Sequence, residues 1–154
     1  MSKSRFFYVT YIRTSPEKLW QALTAPEFTR QYWGGVHQES DWKVGGDWKL
    51  MIPDGRVGDS GKIIEIDPPR KLVVTWENQF MPELKAEGPS RMTFLIEPRD
   101  EHVVKLTLTH EMDRPDSKLI EGVGAGWPEL LASMKSLVET GAAFPGDDKW
   151  PEGV

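Results

Sequence analysis

Two segments decide the fold. Val103-Val104-Lys105-Leu106-Thr107-Leu108-Thr109-His110 is followed at a short interval by Trp127-Pro128-Glu129-Leu130-Leu131-Ala132-Ser133-Met134-Lys135-Ser136-Leu137-Val138-Glu139. In the first, Val104, Leu106, Leu108 and His110 alternate with Lys105, Thr107 and Thr109, the period of a half-buried strand. In the second, Trp127, Leu130, Leu131, Met134, Leu137 and Val138 recur every three or four residues, which gives a helix one apolar stripe. The strand pattern repeats upstream. Trp48, Leu50 and Ile52 share one face, as do Leu72, Val74 and Trp76, and again Met92, Phe94 and Ile96. A run of one-sided strands closed by a one-sided helix predicts an α+β architecture, with the helix covering the apolar face of an antiparallel sheet.

Earlier in the chain, residues 5–12 (Arg5-Phe6-Phe7-Tyr8-Val9-Thr10-Tyr11-Ile12) are aromatic and β-branched and read as a first strand. Ser15 then offers an N-cap and Pro16 a first helical residue, with Leu19, Trp20 and Leu23 as the apolar stripe. Pro26 ends that helix and opens a second short one over 27–32, closed by Gly34-Gly35. Strands are predicted over 36–42, 46–52, 57–66, 71–77, 92–97 and 103–110, with turn-formers between them and a polar loop over 81–90. Helical periodicity covers 116–140. Gly122, Gly124, Gly126 and Pro128 weaken its first part, so the firm helix is predicted over 127–139.

With 154 residues, 38% hydrophobic and 28% charged, the chain reads as one globular domain over 1–141 with a C-terminal tail over 142–154. The absence of cysteine excludes disulfides and thiolate chemistry. A net charge of −5 without a basic run argues against nucleic acid as a partner. No apolar run is long enough to insert into a membrane. The N-terminus lacks the order of a signal peptide, so the expected compartment is cytoplasmic.

Ser15-Pro16-Glu17-Lys18-Leu19-Trp20-Gln21-Ala22-Leu23-Thr24 with Pro26 and Trp33 resembles the opening of the heat-shock-protein-90 ATPase activator homologue family, within the START-like (SRPBCC) superfamily. The likeness continues through Val44-Gly45-Gly46-Asp47-Trp48, Ile66-Asp67-Pro68-Pro69-Arg70-Lys71-Leu72, Thr75-Trp76-Glu77, Met92-Thr93-Phe94, Leu106-Thr107-Leu108-Thr109-His110 and Gly126-Trp127. The resemblance implies a helix-grip (START-like) fold: a curved antiparallel sheet wrapped around a long C-terminal helix, two short helices after the first strand, and a cavity between sheet and helix. Several relatives bind apolar or aromatic small molecules, and the eukaryotic founder activates the chaperone's ATPase.

Seven tryptophans supply the candidate lining. Each brings a large apolar body and one N–H that needs a partner, so the ring suits a half-wet pocket as well as a sealed core. The residues expected to face the space between sheet and helix are Trp33, Trp48, Trp76, Phe80, Phe94, Leu108, His110, Trp127, Leu131 and Met134. They either pack into a solid core or bound a pocket of roughly several hundred cubic ångströms. Trp20 is expected to anchor the first helix, and Trp150 falls in the tail.

His110 ends an apolar alternation, where burial favours its neutral form and where it could hydrogen-bond a ligand or act as a base. His37 and Glu39 share a face but offer only two metal ligands, and His110 and Glu111 point to opposite faces, so no metal site is expected. Neither a nucleophile elbow nor a phosphate loop is present. Glu77 and Glu87 qualify as acid or base only if a cavity desolvates them. No cofactor is expected. Three functions follow: binding of a small apolar or aromatic molecule, a polyketide cyclase/dehydratase-like or hydrolase-like reaction using His110, and a chaperone-ATPase activator-like module with a protein partner. Neither turnover nor oligomeric state is legible.

Overall fold

The computed structural model describes residues 3–145. In chain order it contains β1 (Ser4–Arg13), α1 (Pro16–Thr24), α2 (Pro26–Tyr32), β2 (His37–Ser40), β3 (Asp47–Met51), β4 (Val57–Asp67), β5 (Lys71–Asn78), α3 (Pro82–Lys85), β6 (Ser90–Pro98), β7 (Val103–Met112) and α4 (Lys118–Thr140). The strands form one seven-stranded antiparallel sheet in the order β1-β7-β6-β5-β4-β3-β2. From β2 to β7 this is a simple meander. The first strand instead pairs with the last, Phe6 lying opposite His110. Helices α1 and α2 therefore carry the chain from one edge of the sheet to the other.

The sheet curves around α4. Two register shifts contribute, between Leu50 and Met51 in the β3–β4 pair and between Ile63 and Glu65 in the β4–β5 pair; such irregularities bend a strand and increase its twist. At Gly61 a Cβ would stand 1.9 Å from the Thr75 carbonyl oxygen, so only glycine lets β4 lie this close to β5 there. The alternation read from sequence is realised: Trp48, Leu50, Ile52, Leu72, Val74, Trp76, Met92, Phe94, Ile96, Val104, Leu106, Leu108 and His110 are all buried.

Helix α1 starts as the sequence indicates, with the Ser15 hydroxyl accepting from Lys18 N and Pro16 at the first position. Trp20 packs, half-buried, against the core. Strand β2 stops at Ser40 rather than reaching Trp42: Trp42 takes a left-handed φ of 56° and donates its N–H to Ser40 Oγ at 2.9 Å, a turn that ends the pairing. The predicted loop over 81–90 holds the single helical turn of α3, and β6 starts at its end.

The largest departure is α4, which is continuous from Lys118 and not from Trp127. Its N-terminus is capped twice. Ser117 Oγ accepts from Ile120 N at 3.1 Å, while the Glu87 carboxylate accepts from Ser117 Oγ (2.6 Å), Lys118 N (2.8 Å) and Leu119 N (3.4 Å). A carboxylate at that end also complements the helix dipole. Burial of Leu119, Ile120 and Trp127 then outweighs the poor propensity of the glycines. Gly124 has a packing reason, since a Cβ there would meet the Phe6 ring at 3.0 Å. The helix ends at Gly141, in the left-handed conformation. Trp150 and most of the predicted tail lie outside the described residues.

Candidate functional site

Strands β3, β5, β6 and β7, with helices α2 and α4, bring six aromatic rings together. Trp76 is central. Its ring centroid lies 5.0 Å from Trp48, 5.7 Å from Trp127, 6.2 Å from Trp33 and 5.1 Å from His110. Phe94 meets Trp127 edge-on at 5.9 Å. Offset and edge-to-face pairs of this kind each contribute about 0.5–1.5 kcal/mol beyond the area they bury.

Each of the three most deeply placed indoles finds an acceptor for its N–H. Trp48 donates to Gln38 Oε1 at 2.9 Å, and Gln38 Nε2 in turn donates to the Leu23 carbonyl at 2.6 Å. Trp76 donates to Asp59 Oδ1 at 2.8 Å, and Trp127 donates to His110 Nδ1 at 3.1 Å.

These bonds fix the state of His110. The Ser90 hydroxyl gives its one hydrogen to the Trp76 carbonyl (2.7 Å), so His110 Nε2, 2.8 Å from Ser90 Oγ, must be the donor of that pair. Nδ1 then keeps its lone pair for Trp127. His110 is a neutral imidazole with both nitrogens engaged, and burial pushes its pKa down to about 3. Asp59 moves the other way: burial raises its carboxyl to about 7, against the opposing hydrogen bonds from Trp76 and Asn78. Asp59 was not singled out from sequence, yet it shares strand parity with buried Ile63, the one signal that could have found it.

Of the ten expected lining residues, Trp33, Trp76 and Trp127 bound a recess of about 120 Å³, completed by Val123, Gly126 and Leu130 of α4. The recess is much smaller than the expected several hundred cubic ångströms, because the stacked indoles occupy the space between sheet and helix. Trp48, Phe94, Leu108, His110, Leu131 and Met134 are packed into the core and do not line it. Phe80 lies apart, beyond the end of β5, close to Gly58. Val123 and Gly126 were hidden in the part of α4 that its glycines made to look weak.

The recess opens beside a larger groove of about 430 Å³ between α2 and α4, walled in part by Arg30, Gln31, Glu129, Ser133 and Phe144. Trp33, Gly126 and Leu130 border both spaces.

The other candidates have structural roles or stand at the surface. Burial alone would raise the Glu87 carboxyl, but its bonds from Ser117, Lys118 and Leu119 and the nearby Arg114 charge hold it below the usual range. Glu77 Oε1 accepts from Gln79 Nε2 at 3.3 Å. His37 and Glu39 form an exposed pair at 2.9 Å. Among the described residues no three His, Asp or Glu side chains converge as metal ligands, and no helix is long and apolar enough to cross a membrane.

A curved antiparallel sheet gripping one long helix, with an aromatic interior that opens beside the middle of that helix, defines a helix-grip domain of the START-like class. The family model described as "Activator of Hsp90 ATPase homolog 1-like protein" matches residues 13–139, and the chain belongs to that family. Solved structures agree. The chain is similar to an Hsp90 activator from Plasmodium falciparum (25% identity, TM-score 0.71, covering 87% of this chain and 95% of that one). It is also similar to a protein from Mesorhizobium loti (24%, 0.68, 85% and 95%) and to the Aha1 dimer from Colwellia psychrerythraea (19%, 0.70, 89% and 97%). No curated protein matches the chain.

Proposed function

We propose that this protein binds a small apolar or aromatic molecule at the recess walled by Trp33, Trp76 and Trp127. The observation that carries this reading is a recess of about 120 Å³ floored by indole rings yet open to the surface. A comparable dry cavity of about 150 Å³ accepts benzene, so the space suits one aromatic ring. The rings are held in place from behind, since Trp76 and Trp127 have their N–H groups tied to Asp59 and His110. That pre-organisation lowers the entropic cost of capture. His110 does not favour a catalytic reading, because its only basic nitrogen is already the acceptor for Trp127.

Tryptophan fluorescence titrated with single-ring aromatic compounds, and with larger flavonoid-like, polyketide-like and fatty-acid ligands, tests the proposal. Saturable quenching by the single-ring set is expected. It should disappear in Val123→Phe, which fills the recess from a half-buried wall, with circular dichroism unchanged. Absence of quenching by every compound overturns the reading.

A second reading, a protein partner of the Hsp90 type, is favoured by one surface observation. Strand β1 is an edge of the sheet, and its Phe7 and Tyr11 are 59% and 45% exposed on the same face. Exposed apolar side chains on an edge strand whose outer side no other described strand pairs suit association with another chain. A pull-down with the chaperone, lost in a Phe7→Ser, Tyr11→Ser double variant, is the corresponding test.

A further inference from the structure

The geometry points to a ligand of two parts: one aromatic ring seated in the recess, joined by a short arm to a carboxylate held by Arg30 in the neighbouring groove. This inference rests on the binding function proposed above and specifies its ligand class.

Three observations lead there. First, the recess is too small for more than one ring, but it lies directly beside a larger groove, since Trp33, Gly126 and Leu130 border both. Second, Gly126 stands at the junction. Glycine is among the poorest helix formers, and Gly124 in the same helix has a close neighbour in the Phe6 ring. Gly126 has no such neighbour: a Cβ there would meet nothing within 4 Å. Its missing side chain leaves open space on the border that the recess and the groove share.

Third, the groove offers donors. Arg30 forms no ion pair among the described residues. Its planar guanidinium matches a carboxylate in a way an ammonium does not. Ser133 Oγ accepts from Phe144 N at 2.9 Å and has a hydrogen left to give. Glu129 is the one acid among the described residues that line the groove, and it disfavours an anion placed on the α4 side. The carboxylate is therefore assigned to the α2 wall, with Arg30, and the arm crosses beside Gly126.

The test titrates three probes with the same ring and arm (3-phenylpropanoate, 3-phenylpropanol and 3-phenylpropylamine) into the full chain at low salt, followed by tryptophan fluorescence and by NMR shifts of the indole N–H signals. The acid is expected to bind at least tenfold more tightly than the alcohol. Arg30→Gln should abolish that difference, weakening the acid far more than the alcohol. Gly126→Leu should abolish binding of all three while raising thermal stability, because it adds a good helix former in open space. Equal binding of acid and alcohol, or preference for the amine, overturns the carboxylate assignment and leaves the aromatic recess standing. Failure of all three probes to bind the wild-type chain overturns the binding function itself. Undiminished binding in Gly126→Leu overturns the two-part path.

Discussion

Replacing Asp59 by asparagine should change the slope of stability against pH, and the structure gives the size and sign. The Asp59 carboxyl rises from 3.8 to about 7 in the folded chain. At 1.36 kcal/mol per unit this corresponds to about 4 kcal/mol. Its contribution is fully present below pH 4 and is lost as pH rises through about 7, since the folded state then must bury a charge. His110 runs in the opposite sense, because its pKa falls from 6.5 to about 3. Its contribution, about 5 kcal/mol by the same conversion, is present above pH 6.5 and is lost as pH falls toward 3.

Between about pH 4.5 and 6 the two slopes are each close to 1.4 kcal/mol per pH unit and of opposite sign, so they cancel in the wild type. Asp59→Asn keeps an acceptor for Trp76 and removes one slope. Its unfolding free energy, from guanidinium titrations followed by circular dichroism, should rise by about 1.4 kcal/mol per unit through that window relative to wild type. At pH 8 it should exceed wild type by up to about 4 kcal/mol. His110→Gln should show the mirror slope. A profile for Asp59→Asn parallel to wild type between pH 4.5 and 6 refutes the reasoning.

Other outcomes follow from single contacts. Trp127→Phe leaves His110 Nδ1 buried without its donor, and should cost about 2–4 kcal/mol in the same assay. Glu87→Ala removes the acceptor of two backbone N–H groups at the start of α4 and should cost about 1 kcal/mol, with faster hydrogen exchange at Lys118 and Leu119. Gly122→Ala, with open space around the new methyl group, should stabilise by about 0.5–1 kcal/mol, whereas Gly124→Ala should destabilise by forcing Phe6 aside. Thermal melts of the pair separate helix propensity from packing.

Local pattern carried most of the fold. Every inward strand residue named from alternation is buried, because side chains on a one-sided strand have only two directions available. The first half of α4 was not legible for a physical reason. Its second cap, Glu87, lies thirty-one residues before Lys118, and no window along the chain contains both. Gly124 looked like a helix weakness and is a fitted contact with a strand more than a hundred residues away. The site was legible in composition but not in shape. Tryptophan abundance pointed to an aromatic interior, yet the volume left free depends on how four indoles stack, and that angle is set by Gln38, Asp59 and His110 from three different strands. His110 points inward, as the end of an apolar alternation implies. Its partners, Ser90 and Trp127, could be known only from the pairing of β6 with β7 and the seating of α4.

The pairing of β1 with β7 also sets a timetable for synthesis. Strands β2 to β7 can zip as successive hairpins while the chain leaves the ribosome, since each neighbour arrives within a few tens of residues. The first strand has no partner until residues 103–112 emerge. Through that interval Phe6, Tyr8 and Ile12 wait uncovered together with Phe7 and Tyr11, so the first strand of the sheet is the last strand to be paired. Pulse-labelled hydrogen exchange during refolding should find β1 protected after β5 and β6. The nascent chain should be most prone to aggregate, or to be held by a chaperone, just before β7 is complete.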